Sequence, residues 1–127
     1  MIFTSEAAKW GTDHLQWIKD LDFYKDELSI LSKRLVEVVS KNNSPEVMVQ
    51  AEHFQNQFTI QRNNIDELKH AIGEHNSIVA QELKLHAGRT AQSRIARHEE
   101  LKDQQETLQQ IINDLRNEFK RFLSEWM

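Results

Sequence analysis

The sequence predicts an all-α protein: an antiparallel up-down-up bundle of three long helices, coiled-coil-like in its packing. Three observations predict it. Apolar residues return every three or four positions through most of the chain, which is the period of one helix face. Turn formers are scarce, since 127 residues include three Gly and one Pro, too few for a β protein of this size. Apolar residues make up 39% and charged residues 28%, a balance suited to elongated helices with much of their surface in water.

The first helix is expected at about 5–41. Trp10, His14, Trp17, Leu21, Tyr24, Leu28, Leu31, Leu35 and Val38 alternate steps of four and three, the a/d seam of a heptad pattern. Lys19, Asp26 and Lys33 take the opposite, solvent face. Thr4 or Ser5 can cap the start, with Gly11 and Thr12 as a second candidate start. The stretch Lys41-Asn42-Asn43-Ser44-Pro45-Glu46 ends it and begins the next. Ser44 is the N-cap, Pro45 sits at the first helical position where its missing N–H costs nothing, and Glu46 favours the positive end of the helix dipole.

The second helix, about 45–87, carries Val47, Ala51, Phe54, Phe58, Gln61, Ile65, Leu68, Ile72, His75, Val79, Glu82 and His86 on the same rhythm. The phase continues across Gly73, although a helical Gly costs about 1 kcal/mol. A four-helix bundle with a break near Gly73 is the alternative. The third helix, about 90–126, carries Ala91, Arg94, His98, Leu101, Gln105, Leu108, Ile112, Leu115, Phe119, Phe122 and Trp126. Its frame is out of phase with the second helix, and the slip falls at Gly88, which predicts a turn there. The whole chain, 1–127, then reads as one domain. Its predicted shape resembles a spectrin-type repeat in architecture alone.

Polar residues interrupt the seams, and all but Gln61 share one end of the predicted bundle. If the turns centre near Asn43 and Gly88, residues level on the first two helices have numbers summing to about 86, and those on the last two to about 176. Glu82 is then level with Arg94, which predicts an ion pair. His75 comes within about three residues of both His14 and His98, while His14 and His98 stand about six residues, near 9 Å, apart. That stagger is too wide for one ion to hold all three, since zinc–nitrogen bonds are near 2.1 Å. The cluster of His14, His75, His98 and Glu82 therefore reads first as a polar layer that sets register. A metal site for zinc or iron is the alternative. The single Glu-x-x-His pair, Glu67 and His70, falls on the solvent side, as does His53.

Several function classes are disfavoured. No Cys is present, so there is no thiolate nucleophile or Cys-based zinc site. A net charge of −4 without a Lys/Arg block offers no footprint for nucleic acid, and no apolar run approaches a membrane span. The start, MIFTSEAAKW, lacks the basic and apolar regions of a signal peptide, so a cytoplasmic location is expected. No phosphate loop or nucleophile elbow occurs, and no catalytic residue is assigned. Phe23, Ile30 and Ile60 lie off the seams and mark a possible interaction surface. The expectation is a non-enzymatic structural or protein-interaction module, binding a protein partner or itself as a homodimer and needing no cofactor. A metal-binding bundle using the seam histidines is the alternative.

Overall fold

The computed structural model describes residues 4–85 and 92–127. Helix α1 spans Thr4–Lys41, α2 Pro45–Leu85 and α3 Gln92–Trp126. Each packs against the other two, and no strand occurs among the described residues. The chain is a three-helix bundle. The predicted turn at Gly88 and the seam positions His86 and Ala91 lie outside the described residues.

The first connection forms as its chemistry dictates. The Asn42 N–H donates to the Val38 carbonyl (2.9 Å), closing the last turn of α1. Ser44 Oγ accepts from the Val47 N–H (3.4 Å), satisfying one of the donors a helix start leaves free. Helix α2 then runs unbroken through Gly73, so the four-helix alternative is not realised. The heptad phase explains why: Leu68, Ile72, His75 and Val79 are all buried on one face across the glycine, so burial outweighs its low helix propensity.

The seams are the core. Leu21, Leu28, Val47, Ile65, Leu101 and Phe119 are fully buried, each worth about 1.5–3 kcal/mol relative to exposure. Among described seam positions only Leu31, Glu82, Arg94 and Trp126 remain partly exposed. At the end near the first connection, Phe54, Phe58, Phe119 and Phe122 pack with ring centroids 5.1–6.1 Å apart. Ion pairs stitch the flanks: Lys25–Asp66 (2.8 Å) and Lys69–Asp22 between α1 and α2, and Arg116–Glu27 between α1 and α3.

These pairs define the register, and it differs from expectation in one respect. Level residues on α2 and α3 sum to 176 or 177, as for Glu82–Arg94, Phe54–Phe122 and Phe58–Phe119. Those on α1 and α2 sum to 90 or 91, as for His14–Asn76 and Lys25–Asp66, rather than 86. Side chains lean toward the N-terminus of their own helix, so after the first turn those of α1 lean away from it and those of α2 toward it. That lean accounts for part of the difference. The consequence is that α3 is displaced relative to α1, and His98 lies level with His14.

Candidate metal centre

His14, His75 and His98, one from each helix, converge near the end of the bundle opposite the first connection. All three are buried, at 4%, 3% and 3% exposure. One ring nitrogen from each lies within 4.8 Å of the others. The expected 9 Å stagger between His14 and His98 is therefore wrong: their rings are 5.1 Å apart between centroids. The altered α1–α2 register removes it.

The walls are aromatic and aliphatic. Trp10 stacks on the His98 ring at 4.5 Å and 11°, and Trp17 stacks on it at 5.0 Å. Trp10 also contacts His75 at 5.8 Å, and Trp17 contacts His14 at 5.6 Å. Val79 and Ile95 pack on Trp10. The heptad produces this box directly. Trp10, His14 and Trp17 are consecutive seam residues of α1, so the histidine is held between two indoles along one face.

The outer nitrogens of two histidines are anchored. The Asp13 carboxylate accepts from His98 Nε2–H (3.2 Å), because a carboxylate has no proton to give. That leaves Nδ1 of His98 as a lone pair. Asn76 Oδ1 accepts from His14 Nδ1–H (2.8 Å), leaving Nε2 of His14 as a second lone pair. These two nitrogens face each other at 3.2 Å. A tetrahedral zinc ion with bonds near 2.05 Å sets its ligand nitrogens about 3.4 Å apart. Fixing a metal-binding ring through its other nitrogen is the usual supporting arrangement at such sites. If the Asn76 amide turns over, His14 instead donates to His98, and those two rings are satisfied without a cation.

His75 has no such resolution. Its Nε2 is buried with no hydrogen-bond partner. Burial pushes its pKa down from 6.5 to about 4, helped by the fields of His14, His98, Arg97 and Arg94. Burial also lowers the pKa of His98, against the opposing pull of Asp13. Around neutral pH His75 is therefore an uncharged imidazole, and in the tautomer with its proton on Nδ1 the Nε2 presents a lone pair that no protein donor meets. The widest nitrogen separation exceeds the tetrahedral spacing by at most about 1.4 Å, a distance a side-chain rotation covers.

Glu82 does not join this group. It lies two turns beyond His75 along α2, about 10 Å away along the axis, and pairs with Arg94 Nε at 2.8 Å. Among the described residues, the set with metal-ligand spacing consists of the three histidines alone. Asp13 and Asn76 were not anticipated from the sequence. Their signal was their place beside seam histidines, at flanking positions that face the neighbouring helix. His70 and His53 are exposed, paired with Glu74 and Glu118.

The suggested interaction residues are exposed, at 61% for Phe23, 60% for Ile30 and 47% for Ile60, but they do not share a face. Phe23 and Ile30 flank Glu27, whose partner Arg116 is on α3. Ile60 lies on the same flank of α2 as Asn64 and Glu67, which line the separate cleft between α2 and α3. A further apolar groove between α1 and α2 exposes Val36 (69%), Met48 (42%) and Val49 (70%), residues the seam frame left unmarked.

Comparison with known proteins adds no name to this geometry: no protein family, curated protein or solved structure matches the chain.

Proposed function

We propose that this protein is a metal-binding helical bundle, in which His14, His75 and His98 hold one divalent transition-metal ion of the zinc class. The observation that carries the reading is the unpartnered, buried Nε2 of His75 beside two histidines whose outer nitrogens are already anchored. Imidazole nitrogens suit zinc, iron, nickel and copper, and exclude calcium and magnesium, which take oxygen ligands. An ion held by all three helices joins them at the end farthest from the phenylalanine cluster. Its binding energy then adds to the stability of the folded state.

The test is calorimetric titration of chelator-treated protein with zinc, with metal analysis of the product. One ion per chain is expected, with binding abolished in His75→Ala and His98→Ala variants that remain helical by circular dichroism. Wild-type protein that takes up no zinc, iron, nickel or copper refutes the proposal.

A second reading is an assembly module acting through a protein partner or as a homodimer in the cytoplasm. The exposed Val36, Met48 and Val49 groove favours it. Analytical ultracentrifugation tests it, and a monomer at high concentration counts against the homodimer. Neither reading invokes a membrane span: among the described residues, no helix is long and apolar enough to cross one.

A further inference from the structure

Resting on the metal reading, we infer that the centre keeps its fourth coordination position open and fills it with a small monoanion entering between α2 and α3. Zinc-class ions take four ligands, and the described residues supply three. Neither Asp13 nor Glu82 supplies the fourth. Asp13 accepts from His98 Nε2, and Glu82 holds Arg94.

Charge makes the same demand. A ligating imidazole must be neutral at the bound nitrogen, so three of them leave the ion's double charge uncompensated. The surrounding Trp10, Trp17, Val79 and Ile95 supply no anion. Asp13 balances one charge from behind His98. An inner anion balances the other, at a cost in desolvation far below that of leaving it unmatched.

There is also a way in. A cleft of about 400 Å³ between α2 and α3 reaches His75. Ala71, Ile78 and Ala96 line it with Arg94 and Arg97, and because the His75 Nε2 is buried, an entering ligand requires the ring to turn. Glu74 and Glu100 also line the cleft, Glu100 pairs with Arg97 and Glu82 with Arg94, so the lining charges offset one another and the ion itself supplies the attraction for a small, singly charged ligand. The occupant is hydroxide derived from water, or an exchangeable anion such as azide or a short carboxylate.

Cobalt(II) replacement tests this on the intact chain. The expected result is a cobalt protein whose visible bands change saturably as sodium azide is added, with a new azide-to-cobalt charge-transfer band. Without azide, the same bands shift with pH if hydroxide is the resident ligand, and raising pH then weakens azide binding. Cobalt bands that form but respond neither to azide nor to pH overturn the open position while leaving the metal reading intact. A protein that develops no cobalt bands removes both.

Discussion

Replacing His75 by Leu separates a site that has been kept at a cost from a layer that merely holds the helices in register. The imidazole is 3% exposed and its Nε2 has no partner. Burying an unpaired polar atom costs about 1–3 kcal/mol, and Leu removes that penalty at similar volume. Against this, the ring's contacts with Trp10, His14 and His98, at centroid distances of 5.8, 5.3 and 5.7 Å, are lost. Each is worth about 0.5–1.5 kcal/mol at best, and Leu recovers much of the packing. The metal-free variant is therefore expected to match the wild type or exceed it by about 1–2 kcal/mol at pH 7.5. For a chain of this length that is a rise in Tm of about 3–10 °C.

Metal reverses the order. Zinc at one hundred times its Kd stabilises the wild type by about 2.7 kcal/mol and leaves the variant unchanged. Urea denaturation with and without zinc, followed by circular dichroism, reads all four values. If metal-free His75→Leu proves less stable than wild type by more than about 1 kcal/mol, the ring is a structural element and the reasoning is refuted.

Other expectations follow from the same geometry. The His75 pKa is about 4 in the folded state and 6.5 as the ordinary value, so the unfolded chain binds more protons between them. His14 from α1, and His98, Arg94 and Arg97 from α3, act on it, and all four push in the same direction as burial. Its contribution is fully present above pH 6.5 and is lost as pH falls through 4, by about 3 kcal/mol, a loss that urea melts should find absent from His75→Leu. Gly73→Ala should stabilise by about 1 kcal/mol in the same assay, because a Cβ there meets nothing within 4 Å and the helix gains propensity. Glu27→Gln should cost about 1.5–3 kcal/mol, since it breaks a partly buried fork with Arg116, whose pKa that carboxylate raises. A double-mutant cycle with Arg116→Met should show coupling between the two.

Periodicity made most of the fold legible. Burial of a seam depends only on local phase, so Trp17, Leu68 and Leu108 could each be placed without knowing the neighbouring helix. Register is another matter, because it accumulates the geometry of a turn over ten or more residues. A difference of four in the α1–α2 sum turned His14 and His98 from distant into adjacent, and that shift decides whether a metal can hold them. The Glu82–Arg94 pair, close to the second turn, was far less sensitive to such error. Asp13 and Asn76 escaped notice because hydrogen bonding between flanking positions needs side-chain directions that a helical period does not specify. The apolar residues Phe23, Ile30 and Ile60 were visible as exposed, but their division between two faces follows from which helix each flank meets.

A register-setting role leaves the histidine layer underexplained. Polar residues set register when mispairing them costs hydrogen bonds that the correct alignment supplies. His14 and His98 fit that description, since they donate to Asn76 and Asp13 on neighbouring helices. His75 does not, because the correct alignment leaves its Nε2 unpaired and sliding the helix would forfeit no bond at that atom. The alignment is already specified elsewhere, by the phenylalanine cluster and by ion pairs linking all three helix pairs. A leucine at 75 would serve that alignment as well and pack better. What distinguishes histidine there is a lone pair, which serves a hydrogen-bond donor, a proton or a metal, and no protein donor reaches the Nε2. The surrounding charges and burial have made the proton a poor occupant at neutral pH.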